Sequence, residues 1–223
     1  MKRAWPARVA WLCLCLVPAL ATQAADPFAH PASGQALMAT LARPAARIEN
    51  ALTLSGGFRQ SRYLRELPRP LIAGGEFVFV RDLGVYWHTR QPFDSVIVLN
   101  AAGMTQIDAG AAPLRISADE QPAVRLVGNL FAALFTLDVT RLGRDFELFC
   151  ISEGTRWTLG LKPRAPGLAG VLRHVTVTGS DDVEQVELTD AQGDRTVIEL
   201  TAIRYSRESP PATVGALLAP PRP

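Results

Sequence analysis

The spacing of apolar residues changes several times along this chain, and each change marks an element. Gln35 to Arg43 sets Leu37, Met38 and Leu41 on one helical face, which predicts a first helix that Pro44 interrupts. Ala45 to Leu54 reads equally as continuing helix or as linker, closed by Ser55-Gly56-Gly57. From Phe58 the pattern turns to short runs bounded by Gly, Pro, Asp or Asn. Strands are predicted at Phe58 to Leu64, Glu76 to Arg81, Val85 to Arg90, Ser95 to Asn100 and Met104 to Asp108. A second set follows at Asp145 to Ile151, Thr155 to Lys162, Leu172 to Thr178, Val183 to Thr189 and Arg195 to Tyr205. Gly179-Ser180-Asp181-Asp182 and Ala191-Gln192-Gly193-Asp194 supply turns, and direct strand-to-strand links imply an antiparallel meander. The expected class is mainly β with helices (α+β).

Between Ser117 and Leu142 the rhythm becomes helical. Val124, Val127, Leu130, Phe131, Leu134 and Phe135 recur at intervals of three and four, so one helix interrupts the sheet. Ser117 with Glu120 reads as a capping box, and Pro122 offers a later start. Gly128 and Asn129 lower its intrinsic stability. Residues 209–223 are rich in Pro and Ala and are expected to be disordered.

The amino terminus changes the picture of where this sheet works. Lys2, Arg3 and Arg8 precede the apolar run Val9 to Ala21, and Thr22-Gln23-Ala24 follows, the pattern of a secretory signal peptide over residues 1–24 with cleavage before Ala25. The run is shorter than the roughly 20 residues a membrane-spanning helix needs. Export to the periplasm is expected, with residues 25–208 as one domain. Cys13 and Cys15 lie in the signal without the Leu-small-small pattern of a lipidation site, leaving Cys150 alone and a disulfide within the exported chain impossible. Removing the three basic signal residues turns 23 basic against 21 acidic into 20 against 21, a net charge of −1. The arginines are scattered, so no nucleic-acid partner is expected.

Candidate chemistry is sparse. His30, His88 and His174 are widely separated, with no zinc-ligand spacing, and neither a metal nor a cofactor is expected. His88 reads as a surface histidine. No Gly-x-Ser-x-Gly elbow occurs, and Ser55-Gly56-Gly57 lacks the ending of a phosphate loop. Asp181, Asp182 and Glu184 read as a solvated turn. The informative stretch is Glu76 to Arg81, where period-two alternation puts Phe77, Phe79 and Arg81 on one face and Glu76, Val78 and Val80 on the other. An arginine among aromatics needs acceptors, which the carbonyls ending a helix over that face would supply. The pattern does not separate a permanently packed helix from a lid that opens.

Gly75-Glu76-Phe77-Val78-Phe79-Val80-Arg81 followed by Val85-Tyr86-Trp87-His88 and Gln91-Pro92 resembles the core motif of the LolA family, periplasmic carriers of outer-membrane lipoproteins. Phe58-Arg59-Gln60 and Trp157 to Pro163 extend the likeness, which spans Leu37 to Tyr205 and is nearest the LolA-like proteins of lipid and aryl-polyene export systems. The resemblance implies an unclosed antiparallel β half-barrel covered by a helical lid, holding acyl chains, with its lid-bonding arginine at Arg81. It also implies lipoprotein or lipid cargo, an inner-membrane transporter as donor and an outer-membrane acceptor. The expected ligand-binding set is Phe77, Phe79, Arg81, Val85 and Trp87 from the sheet with Val127, Leu130, Phe131, Leu134 and Phe135 from the helix. A non-enzymatic monomeric carrier is expected. The alternatives are a sensor or scaffold on the same half-barrel, as in RseB, and a lipid-modifying enzyme, which lacks a visible nucleophile and base. The absence of a lipidated cysteine argues against the anchored receptor LolB.

Overall fold

A computed structural model of the chain describes residues 26–32 and 34–219, and omits the side chains of Pro122 and Ala123. The expected signal peptide lies outside the described residues. Eleven strands form a single antiparallel sheet: β1 (Thr53–Tyr63), β2 (Leu71–Val80), β3 (Gly84–Gln91), β4 (Ser95–Asn100), β5 (Gly103–Asp108), β6 (Leu114–Ser117), β7 (Phe146–Glu153), β8 (Arg156–Pro163), β9 (Leu172–Gly179), β10 (Val183–Asp190) and β11 (Arg195–Ser206). Their order is β6-β5-β4-β3-β2-β1-β11-β10-β9-β8-β7. Every neighbour but β1–β11 is a sequence neighbour, as a meander requires. The sheet ends on β6 and β7 without pairing them, so the half-barrel is unclosed.

That order decides where the helices go. The chain leaves the sheet at the β6 edge and rejoins it at the β7 edge, and between lie α2 (Pro122–Thr136) and α3 (Val139–Asp145). The connection spans the concave trough, so its apolar face meets the inward side chains of the strands. The single helix predicted from Ser117 to Leu142 is therefore two. Leu137 takes a left-handed backbone at φ 49°, and Asp138 then caps α3 by accepting from the Arg141 N–H at 2.9 Å. The capping box does not form: Ser117 ends β6, and its hydroxyl accepts from the Asp119 N–H.

The first helix, α1 (Gly34–Glu49), runs through Pro44 instead of stopping there. Leu37, Leu41, Pro44 and Ile48 are all buried, and this packing outweighs the backbone bond that proline cannot donate. The four-residue α4 (Pro166–Ala169) bridges β8 and β9. The carboxy-terminal expectation needs correction, since residues 212–218 form α5 (Ala212–Leu218) on the convex face. Val214 and Leu218 are buried against Val80 and Val98, and Asn100 donates to the Leu218 carbonyl at 3.3 Å. Outward Val78, Val80, Val96 and Val98 make an apolar strip that no strand covers, and burying it outweighs the segment's poor composition. A short 3-10 turn, Pro27–Ala29, clips the opposite flank, its Phe28 ring seated over Gly160, where a Cβ would come within 2.8 Å of it.

Candidate functional site

The concave face holds two apolar clusters, and α2 is the wedge between them. Phe77 and Phe79 point into the trough from β2, as alternation requires, and Phe135 stacks on both with ring centroids 5.2 and 5.3 Å apart. Trp87 from β3 stacks on Phe58 at 3.9 Å and meets the edge of Phe131 at 6.2 Å. Val85, Leu54 and Leu99 complete this cluster. The ring of Phe77 has room because Gly56 lies opposite it on β1; a Cβ there would come within 3.0 Å of the ring and 2.7 Å of the Thr201 carbonyl. On its other flank α2 sends Leu130, Ala133 and Leu134 into the cluster of α1, α3 and β7 to β10, with Leu37, Leu41, Leu161 and Val175.

The predicted ligand-binding set thus divides. Phe77, Phe79, Val85, Trp87, Phe131 and Phe135 come together in one cluster, while Leu130 and Leu134 belong to the second. Val127 does not join them: its residue is 43 % exposed on the outer side of α2, because the true apolar stripe drifts away from the face that includes it. Phe58, Leu54 and Leu99 were missed, although β-strand alternation through Leu54-Gly56-Phe58 carries the signal.

Arg81 stands one residue past β2 at the mouth of the trough. Its guanidinium donates from Nε to the Ala51 carbonyl at 3.1 Å and from Nη2 to the carbonyls of Ile48 at 2.7 Å and Glu49 at 3.1 Å. The Ile48 and Glu49 carbonyls end α1, where the helix dipole favours a cation, and Ala51 follows in the turn to β1. The acceptors are thus on α1, not on the mid-chain helix that occupies the place of the lid. Ion pairs secure α1 further along, Arg43 to Asp181 at 3.0 Å and Arg47 to Asp182 at 3.2 Å. Tyr205 donates to Asp182 at 2.6 Å; burial, then this bond to a carboxylate, push its phenol pKa up. The turn read as solvated is in fact a docking point for α1.

By contrast α2 is held to the sheet by apolar contact. Among the described residues, the side-chain hydrogen bond that ties it to another element is Arg141 of α3 to Asn129 at 3.4 Å. Its amino-terminal cap, Gln121, makes no side-chain cap bond. Between α1 and α2 a cleft of about 790 Å³ opens at the Arg81 end. Ala42, Ala45, Gly128 and Ala132 are too small to fill it, and Phe79 and Leu99 form its floor. Arg81, Arg125 and Arg141 face Glu49, Asp82 and Asp138 around its rim.

The remaining polar candidates lie elsewhere. His88 is on the convex face, its side chain 17 % exposed and set between the exposed carboxylates of Asp94 at 3.2 Å and Glu76 at 3.5 Å. The bond from Arg90 holds the Glu76 carboxyl below its usual pKa range. Cys150 is half-buried, and burial pushes its thiol pKa up, away from reactivity.

No curated protein matches the chain. Solved structures with a similar layout include a LolA superfamily protein from Nitrosomonas europaea, 9% identical, covering 78% of this chain and 94% of that one at a TM-score of 0.44. A lipoprotein-sorting protein domain from Vibrio parahaemolyticus is 11% identical and covers 84% and 100%, at 0.45. The Pseudomonas aeruginosa MucA/MucB complex gives 13% identity, 82% of this chain and 61% of that one, also at 0.45. The model of the outer membrane lipoprotein carrier protein LolA matches residues 49–213, from the end of α1 through every strand to the start of α5. With that match extending over about three quarters of its length, the chain belongs to the LolA family.

Proposed function

We propose that this protein is a periplasmic carrier that takes up the acyl chains of a lipoprotein or another lipid in its trough and shuttles the cargo from the inner to the outer membrane. The observation that carries this reading is the asymmetry between the helices. Cations and carboxylates fasten α1, while α2 fills the trough between the two apolar clusters and is joined to the sheet by no polar bond among the described residues. Acyl chains offer the same kind of contact that Phe131 and Phe135 make with the sheet, so the exchange costs little apolar burial, about 25 cal/mol for each Å² left uncovered. A release of α2 about Gln121 and Leu137 would widen the existing cleft and leave α1 and Arg81 in place. Binding and release involve no covalent step, so no catalytic group or cofactor enters. An inner-membrane transporter would load a monomeric carrier, and an outer-membrane acceptor would unload it.

A Cβ on Gly128 would lie 3.7 Å from the Leu99 Cγ, so Gly128→Cys with Leu99→Cys, in a Cys150→Ser background, offers a bridge from α2 to β4. The wild-type protein is expected to bind a triacylated lipopeptide, the oxidised variant to exclude it, and reduction to restore uptake. A wild-type protein that excludes the lipopeptide refutes the carrier reading. Equal uptake in oxidised and reduced variants refutes α2 as the moving part.

A further inference from the structure

The end of the half-barrel opposite the Arg81 cleft carries an unusual rim. There the β1–β2 hairpin projects a loop over residues 64–70, and the β3–β4 turn lies beside it. Gly74 pairs with Gln91 across β2 and β3, so Ile72 and Phe93, each two residues further on, belong to neighbouring tips at the same end. Phe93 is 79 % exposed, Leu71 is 52 %, and Leu67, Ile72 and Tyr63 are exposed as well. Five of the twelve large hydrophobic side chains exposed among the described residues lie on these two tips. Isolated exposed apolar residues are ordinary; a concentration on adjacent tips is not.

Charge accompanies the apolar tips. Residues 62–72 contain Arg62, Arg65 and Arg69 against Glu66, a local excess of +2 on a chain that is −1 from Ala25 onward. The side chains of Arg62 and Arg69 have no hydrogen bond or ion pair among the described residues, whereas Asp94 beside Phe93 pairs with His88. Pro68 and Pro70 restrict the loop backbone, which lowers the entropy lost when its tip is held.

We infer that this rim docks on a phospholipid surface containing anionic lipid, Leu67, Ile72 and Phe93 entering the acyl boundary while Arg62 and Arg69 meet phosphates. Separate apolar tips interleaved with arginines suit a bilayer interface, where each tip is wetted by acyl chains on its own. A protein partner would instead be matched by one continuous packed patch. Leu71 shares the inward face of β2 with Phe77 and Phe79, so the docking rim is continuous with the trough. Docking is independent of the cargo reading, because the tip residues lie outside the α2 clusters.

The test uses the chain from Asp26 onward, which contains every described element, sedimented with vesicles of phosphatidylcholine alone or mixed with phosphatidylglycerol. Wild type is expected to sediment with the mixed vesicles. Leu67→Ser/Ile72→Ser/Phe93→Ser, with an unchanged melting temperature, is expected to lose binding by about tenfold or more. Arg62→Gln/Arg69→Gln is expected to reduce binding to the level seen with phosphatidylcholine. Wild type remaining in the supernatant, retained binding in the tip variant, or no preference for the anionic lipid overturns the inference. Lipopeptide uptake without vesicles is measured in parallel, so a failure of docking is distinguished from a failure of cargo binding.

Discussion

Replacing Arg81 by Gln separates the two helices experimentally. The guanidinium makes three hydrogen bonds, to the last two carbonyls of α1 at 2.7 and 3.1 Å and to that of Ala51 just beyond it at 3.1 Å. A charge-assisted bond contributes about 1.5 to 3 kcal/mol, but three bonds from one guanidinium are not additive, and these carbonyls border an open cleft where water can replace the donor. A net loss of about 2 kcal/mol follows, including the cation's interaction with the helix dipole. At 1.4 kcal/mol per factor of ten, this raises the population of locally opened states about 30-fold. Amide hydrogen exchange should therefore accelerate by about that factor over residues 46–52, with residues 124–137 of α2 unchanged. Equal acceleration in α2 would mean that Arg81 acts as a latch on the lid, and unchanged exchange in α1 would mean that the bonds contribute nothing; either result refutes the assignment.

Two further outcomes test other parts of the fold. Truncation after Glu208 removes α5 with buried Val214 and Leu218, and should lower stability in urea by about 2 to 4 kcal/mol; an unchanged midpoint would show that α5 does not pack in solution. Burial lowers the pKa of His174, with Arg173 and Lys162 acting in the same direction and Glu187 and Asp26 opposing. The unfolded chain then binds more protons below about pH 6.5, so stability should fall as pH drops from neutrality through that range, and His174→Asn should remove this component. A pH profile identical in the variant would refute it.

The alternation in Glu76 to Arg81 already placed Phe77, Phe79 and the arginine on one face, since a strand's period of two is a local property of the backbone. The meander was likewise legible, because short turns leave antiparallel pairing as the available choice. Two misjudged segments, by contrast, depended on distant partners. Pro44 remains within a helix because it lies on the one face of α1 that is buried, with Leu37, Leu41 and Ile48, and α5 forms because valines more than a hundred residues earlier leave an apolar strip on the convex face.

The candidate site divides in the same way. Apolar periodicity could identify α2 as a helix over a sheet, and the family likeness could mark Arg81. Neither could show that the acceptors of Arg81 lie on α1, that Val127 faces outward, or that polar bonds secure one helix and apolar contact the other. Local sequence determined which faces were apolar and where the chain turned, because those are properties of a few neighbouring residues. Tertiary structure decided which faces met, because the unpaired β6 and β7 edges, with α2 and α3 spanning the trough between them, exist only once all eleven strands are in order.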